Sequence, residues 1–510
     1  MKAPKLFNSL MVVIFFVATT VPLLAVNKTQ GTVSVAENRV LASFPSLRTS
    51  EGKINTQFMK EFETWFNDNL GLRDRLVMAN TELQYNMFGT LTKTDTIIGK
   101  NNWLYYVTPE IIKDYQHLNL PSTNQLKQWG DSLEEINNYL SGKNIPFITM
   151  LNLDKKTIYP EYYPETIKKV GNTSRTDMMI DFFHKNTNID FFTPKEALLK
   201  AKSKATVYSP RYDNAHWNYY GAFIGYQELM KRVKAYYPNV KVLSWEDYNI
   251  TKYTRETKIY NAVKFSEEDL GLNYTKESSA TRTFGLFDNM NLNNSEVYTF
   301  SNSNKDLPKA LVLGDSYFYG FLIPQLSESF SELTFVHSDN IDQLQSFVEL
   351  TDPDIVIYEN VERMWDHTMD VLTNSSQKLV DYSTFAGLPK LKEAKVWIDY
   401  FNNEPPMDQR RVVLNQASKT VNIIGWALDS QSVAGEVYLE IGDKFYKGNY
   451  GIPRESVAKT FNDNNLTNCG FSFVVNTEDL VKSGKMSIHV ISKDLTYQYI
   501  PIDISVEVNK

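Results

Sequence analysis

Five short apolar runs, at 145–151, 189–192, 310–313, 333–336 and 355–358, recur along the middle of the chain, and they restrict the fold more than any other feature. Each is too short for a buried helix and too uniformly apolar for a strand with one wet face. Amphipathic stretches separate them, the first carrying Leu126, Trp129, Leu133, Ile136 and Leu140 at helical spacing. Apolar strands alternating with helices predict a largely parallel sheet covered on both faces, the doubly wound α/β class. A ligand site is then expected beyond the carboxyl ends of the strands.

The flanks read differently. Phe58, Phe62, Trp65, Phe66 and Leu70 recur at three- and four-residue steps, giving a helix with an aromatic stripe expected to be core. Gly71 ends that helix, and Arg73-Asp74-Arg75 opens another carrying Leu76, Leu83 and Met87. Near Phe401 to Pro406 a proline pair interrupts, and helical periodicity does not return. Beyond it come short strands of period two, such as Val437/Leu439/Ile441, Phe471/Phe473/Val475 and Met486/Ile488/Val490, divided by glycines. The expected plan is a membrane helix within 1–30, a tether and helices over 31–98, an α/β domain over 99–400 and a β-sandwich over 407–510. Carbohydrate binding and a purely stabilising role, with Trp426 in its core, are both open for the sandwich.

Lys2 and Lys5 precede an apolar stretch from Phe7 to Val26, the charge pattern of an export signal. About 20 apolar residues suffice to span a bilayer, and Leu23-Leu24-Ala25-Val26 lacks a clean cleavage site. An uncleaved anchor with the bulk outside the cytoplasm is therefore expected, a cleaved signal peptide being the alternative. The net charge of −7 and the lack of a long basic run argue against nucleic acid as partner. Cys469 is the single cysteine, so no internal disulfide or thiolate metal cage can form. It reads as a small buried hydrophobe. No His/Glu pair has metal-ligand spacing, so neither a catalytic metal nor another cofactor is expected.

The chemistry concentrates in two segments. Lys309 to Tyr317 is a buried strand running into a Gly314-Asp315-Ser316 turn, which sets the serine at the sheet edge. Gly314 would permit the tight turn, and the helix behind would offer free N–H groups to an oxyanion. Tyr212-Asp213-Asn214-Ala215-His216-Trp217-Asn218 contains an imidazole with an aspartate three residues earlier, and His216 is expected to open a helix. One loop can thus supply a base and the carboxylate that orients it. Each segment alone has a bland reading: the serine as an N-cap, and the histidine as a structural residue behind an Asp213 cap. His337 and His367 are second-choice bases. Lys155 and Tyr159 read as crevice residues of mainly structural role.

Together the segments resemble SGNH-type ester hydrolases, in which Asp-x-x-His and Gly-Asp-Ser share one α/β domain. The order His216 before Ser316 is similar to the alginate O-acetyltransferase family, the DHHW-type SGNH-like proteins. Further blocks resemble it over about residues 35 to 370: Glu37-Asn38-Arg39 to Phe44-Pro45, Gly71-Leu72-Arg73-Asp74, Gly99 to Tyr105, Asp154-Lys155 to Glu161, His216-Trp217-Asn218, and Pro353 to Arg363. The family places its aspartate two residues before the histidine, where this chain has Asn214. The third triad seat is therefore open between Asp213 and Asn214, and a degenerate, non-catalytic site is the remaining option. Arg363 and Trp217 are the candidate substrate-binding residues.

The resemblance implies an SGNH-like fold and an O-acetyltransferase that moves an acetyl group through a Ser316 acyl-enzyme to a surface polysaccharide. It also implies a multipass membrane acyltransferase as donor, since one spanning segment cannot export the acetyl group. A polysaccharide acetyl-esterase and a non-catalytic glycan-binding assembly factor are the competing functions.

Overall fold

The computed structural model describes residues 3–49, 52–375, 378–406, 408–414, 418–430 and 432–508. Lys2 lies outside them, as does the Lys5 side chain. Helix α1 (Ala3–Leu24) holds an 18-residue apolar window, Phe7–Leu24, of mean hydropathy 2.1 that is almost wholly exposed. It is long and apolar enough to cross a bilayer.

Helices α2 (Phe58–Asn69) and α3 (Arg73–Phe88) form a corner against its end. The tether expected after the membrane helix is stapled to that corner. Gly71 N–H donates to Pro22 O at 3.0 Å and Asn27 N–H to Asn69 O at 2.8 Å. A Cβ on Gly71 would sit 2.5 Å from the Ala25 backbone, so only glycine permits this approach. Arg39 pairs with Asp68 through both terminal nitrogens, Arg73 likewise with Glu37, and Asp74 accepts from Ser34 Oγ and from the Val35 and Ala36 N–H groups. The Glu37-Asn38-Arg39 and Gly71-Leu72-Arg73-Asp74 blocks are this staple. The aromatic stripe of α2 is not core: Phe58, Phe62 and Trp65 gather around Phe44 and stay half-buried, while Asp68 and Asn69 are buried. The buried end of this helix is thus its ion-paired and hydrogen-bonded end.

The central domain follows, with α4 (Thr123–Gly142), β1 (Phe147–Asn152), β2 (Asp190–Phe192), α5 (Tyr219–Tyr236), β3 (Tyr248–Ile259), β4 (Val263–Tyr274), β5 (Ala280–Thr283), β6 (Val297–Asn302), β7 (Lys309–Gly314), β8 (Glu332–His337) and β9 (Ile355–Val361). Its sheet runs β2-β1-β9-β7-β8-β6-β5. The five apolar runs are its five parallel strands, and β6 and β5 extend it antiparallel. Residues of β7 alternate between two cores: Ala310 and Val312 join Trp217, Phe223 and Phe335 on one face, while Leu311 and Leu313 join Leu133, Phe147 and Phe347 on the other. That alternation is the mark of a sheet covered on both sides.

β3 and β4 form a separate hairpin of two 12-residue strands, in register from Tyr248 opposite Tyr274 to Ile259 opposite Val263. Tyr260 and Asn261 turn it with φ of 47° and 54°, the left-handed pair that suits a tight hairpin.

The C-terminal unit is a β-sandwich of two sheets. Strands Lys390–Glu393 and Lys395–Phe401 pair within those sheets, with Gln498–Ile500 and Thr420–Asp429. The sandwich therefore begins ahead of the proline pair, which lies in a connection inside it; a polar strand such as Lys390–Glu393 carries no apolar signature to mark its start. Trp426 is half-buried against Phe461 rather than central in the core. Cys469 is fully buried, and burial pushes its thiol up to about 11.

Candidate active site

The site forms where β7 meets the loop 207–218. Beyond Gly314, Asp315 is extended and caps the turn Ser316–Tyr319, its Oδ1 accepting Tyr317 N–H at 2.8 Å and its Oδ2 accepting Val361 N–H at 2.8 Å. Gly314 keeps ordinary strand geometry; its small size matters because a Cβ would lie 2.9 Å from Glu359 Oε2. Burial first, and the Asp315 carboxylate second, push Glu359 well above the usual carboxylate range. It accepts from Asp315 N–H and Asn152 Nδ2 and so locks the turn to β9 and β1.

The loop carrying the histidine begins at Val207, whose N–H donates to Tyr159 Oη at 3.0 Å. Asp213 Oδ1 accepts the Ala215 and His216 N–H groups at 2.6 and 2.8 Å, closing a local turn. Helix α5 starts later than expected, because Asn218 and not His216 is its cap, accepting Gly221 N–H at 2.9 Å. His216 is thus a loop residue held by its own aspartate.

Two contacts complete the arrangement. His216 Nδ1 lies 3.0 Å from Asp213 Oδ2, and Nε2 lies 2.8 Å from Ser316 Oγ across 100 residues of chain. With the proton on Nδ1, the imidazole donates to the carboxylate and Nε2 accepts from the serine hydroxyl. The ring sits between Tyr317 and Phe321, with centroids 5.1 and 5.9 Å away. Burial drives the Asp213 carboxyl upward, but the His216 hydrogen bond and the His216 and Lys155 charges outweigh it and hold it well below the usual range. Asn214 points elsewhere, its amide donating to Thr96 Oγ1 at 2.7 Å. The Tyr317 N–H is engaged by Asp315, leaving Ser316 N–H as the donor at this turn without an acceptor among the described residues. One backbone donor, not a helical row of them, is thus free at this turn.

The two substrate-binding candidates are wholly or largely buried. Trp217 is fully buried, its indole donating to Tyr317 O at 3.2 Å. Arg363 is nearly buried, paired with Asp154 and lying over the rings of Tyr106 and Tyr317. Both contact Tyr317, and the Asp154 pair offsets the cost of a guanidinium at that depth. Lys155 is buried and donates to the carbonyls of Leu104 and Asp213; burial pulls its ammonium down to about 7. His337 and His367 do meet a carboxylate, both approaching Asp339, at 3.3 and 3.6 Å. Ser316 accepts no bond from either.

A serine, a base and an acid at the carboxyl edge of such a sheet are shared by several serine-hydrolase folds, the SGNH hydrolase-like class among them. Residues 96–330, which include all three side chains, match the family model described as SGNH hydrolase-like domain, acetyltransferase AlgX. Solved structures similar to the chain include Bacillus cereus PatB1 (16% identity, 56% of this chain and 98% of that one, TM-score 0.39). The O-acetyltransferase domain of Pseudomonas putida AlgJ matches at 14% identity over 55% of this chain and 99% of its own, TM-score 0.34. Pseudomonas aeruginosa AlgX matches at 13% over 84% and 94%, TM-score 0.33. No curated protein matches the chain.

Proposed function

We propose that the protein is an O-acetyltransferase that acts on a cell-surface or exported polysaccharide through Ser316, His216 and Asp213. The observation that carries this reading is the 2.8 Å contact between His216 Nε2 and Ser316 Oγ, with Asp213 on the other ring nitrogen. His216 takes the hydroxyl proton as Ser316 Oγ bonds to the acetyl carbonyl carbon of the donor. The Ser316 N–H stabilises the tetrahedral oxyanion. As the donor's acyl bond breaks, His216 returns the proton to the leaving group, and an acetyl-serine remains. A glycan hydroxyl then attacks, giving its proton to His216, and collapse restores the Ser316 hydroxyl.

Transfer rather than hydrolysis is supported by the match of residues 96–330 to a domain described as that of an acetyltransferase. The acetyl donor we infer to be a separate multipass membrane acyltransferase, with α1 as the anchor that keeps this domain at the same bilayer. The test is surface-glycan acetylation in cells carrying Ser316→Ala, paired with acetyl transfer by the purified full chain from para-nitrophenyl acetate to oligosaccharides. Loss of both in the variant is expected. Unchanged glycan acetylation in the Ser316→Ala cells would overturn the catalytic reading, and ester hydrolysis without any transfer would replace transferase by esterase.

A further inference from the structure

The hairpin β3–β4 is mostly exposed on one side, and its inward row on β4 changes character where it meets the catalytic loop. Val263 and Phe265 are buried apolar residues, but the next two inward positions are Glu267 and Asp269, 7% and 4% exposed. A hairpin needed only for packing would continue the apolar row, since buried carboxylates are unfavourable unless fully hydrogen-bonded. Glu267 is heavily bonded, and apart from Arg255 of β3 and the Leu270 N–H the partners of the two acids lie on the loop 207–218.

Glu267 Oε2 accepts Arg211 N–H at 2.6 Å and Tyr212 N–H at 3.0 Å. Glu267 Oε1 accepts Ser209 Oγ–H at 2.9 Å and Arg255 Nε–H at 2.8 Å. A serine hydroxyl has one proton to give. With that proton on Glu267, a Ser209 lone pair receives Asp213 N–H at 2.8 Å. On the far side of His216, Asp269 accepts the Asn218 amide at 2.8 Å, and Arg255 bridges both acids, its Nη2 lying 2.7 Å from Asp269. The loop bearing Asp213 and His216 is thus gripped at both ends by one hairpin face.

We propose that the β3–β4 hairpin is the positioning element of the catalytic loop, with Glu267, acting through Ser209, the positioning residue that sets Asp213 against His216 Nδ1. The inference rests on the triad reading above. Glu267 touches neither substrate nor reacting atoms, so its removal changes the aim of the base rather than the binding of the acceptor.

The experiment compares the full chain with Glu267→Gln, Ser209→Ala and, as a control on the exposed face of the same hairpin, Glu256→Gln. An amide at 267 keeps the shape but cannot accept all four donors. Glu267→Gln is expected to lower kcat for acetyl transfer by about 10- to 100-fold with KM unchanged, the scale of a small misplacement of a catalytic group. The low-field Hδ1 resonance of His216, which reports its bond to Asp213, is expected to shift or broaden in Glu267→Gln and in Ser209→Ala and to stay in place in Glu256→Gln. Should Glu267→Gln not fold, Ser209→Ala, which leaves the buried carboxylate and its backbone donors intact, carries the test. Unchanged kcat and an unchanged Hδ1 signal in these variants would overturn the proposal. The resonance does not depend on turnover, so a Ser316→Ala protein that remained active would sink the catalytic reading alone.

Discussion

Asp213 binds three groups with one carboxylate: Oδ1 takes the Ala215 and His216 N–H groups, and Oδ2 takes His216 Nδ1. An amide in its place offers one accepting oxygen and would turn a donor toward either the loop or the imidazole. Asp213→Asn is therefore expected to reduce kcat by about 100- to 10,000-fold at constant KM, as the loss of a tautomer-fixing carboxylate does. Asn214→Ala, which removes only the bond to Thr96, should leave the rate intact. Steady-state kinetics on the two variants decides between them. Lys155 makes a separate prediction. Its folded pKa near 7 lies below its ordinary 10.5, so between about pH 7 and 10.5 the unfolded chain binds more protons and stability rises with pH. Lys155→Met should remove that rise, seen as a flatter dependence of the unfolding midpoint on pH across this window. Ser316 and His216 are legible in the sequence because each sits in a short motif with its own local chemistry. The third seat is not, since in a loop either of two adjacent residues can turn toward the ring until a neighbour such as Thr96 takes one away. Glu267 left no trace at all, being one acid among several on a polar strand.

At the level of elements, the loop 207–218 depends on how closely α5 approaches it. A Cβ on Gly221 would lie 2.0 Å from Val207 O, and one on Gly225 would lie 2.5 Å from the Trp217 ring. Gly221→Ala should push helix and loop apart, lowering stability by about 1–3 kcal/mol in denaturant melts, the range for overpacking a filled core, and lowering kcat as well. An unchanged melt would mean that α5 can slide without strain. The parallel strands were legible because a sheet buried on both faces must be written in continuous apolar runs. The β3–β4 hairpin was not, because Thr251 to Lys258 is almost wholly polar and its one deeply inward residue is Arg255, so neither apolar period registers. The aromatic stripe of α2 misled for the opposite reason: its spacing is that of a core helix, but its rings close over a single Phe44 beside an ion-paired face.

For the whole molecule, the α/β domain and the sandwich meet at Glu349, which accepts Lys447 N–H and the Gln345 amide, each at 2.8 Å. Burial pushes its carboxyl up to about 7, above the ordinary 4.5. The folded chain then binds more protons between about pH 4.5 and 7, so this contact weakens as pH rises through that window. Glu349→Gln should flatten the fall and stabilise the protein by about 1–3 kcal/mol at pH 8 relative to its effect at pH 4.5, measured by thermal unfolding at both pH values. The staple at the foot of the molecule has a consequence of another kind. With α1 in a bilayer, the Gly71 contact with the end of α1 and the Arg39 and Arg73 pairs replace a swinging leash by a rigid post. On the proposed function, Ser316 would then work at one height above the lipid, and acetyl marks on a passing polymer would record which stretch of it crossed that height.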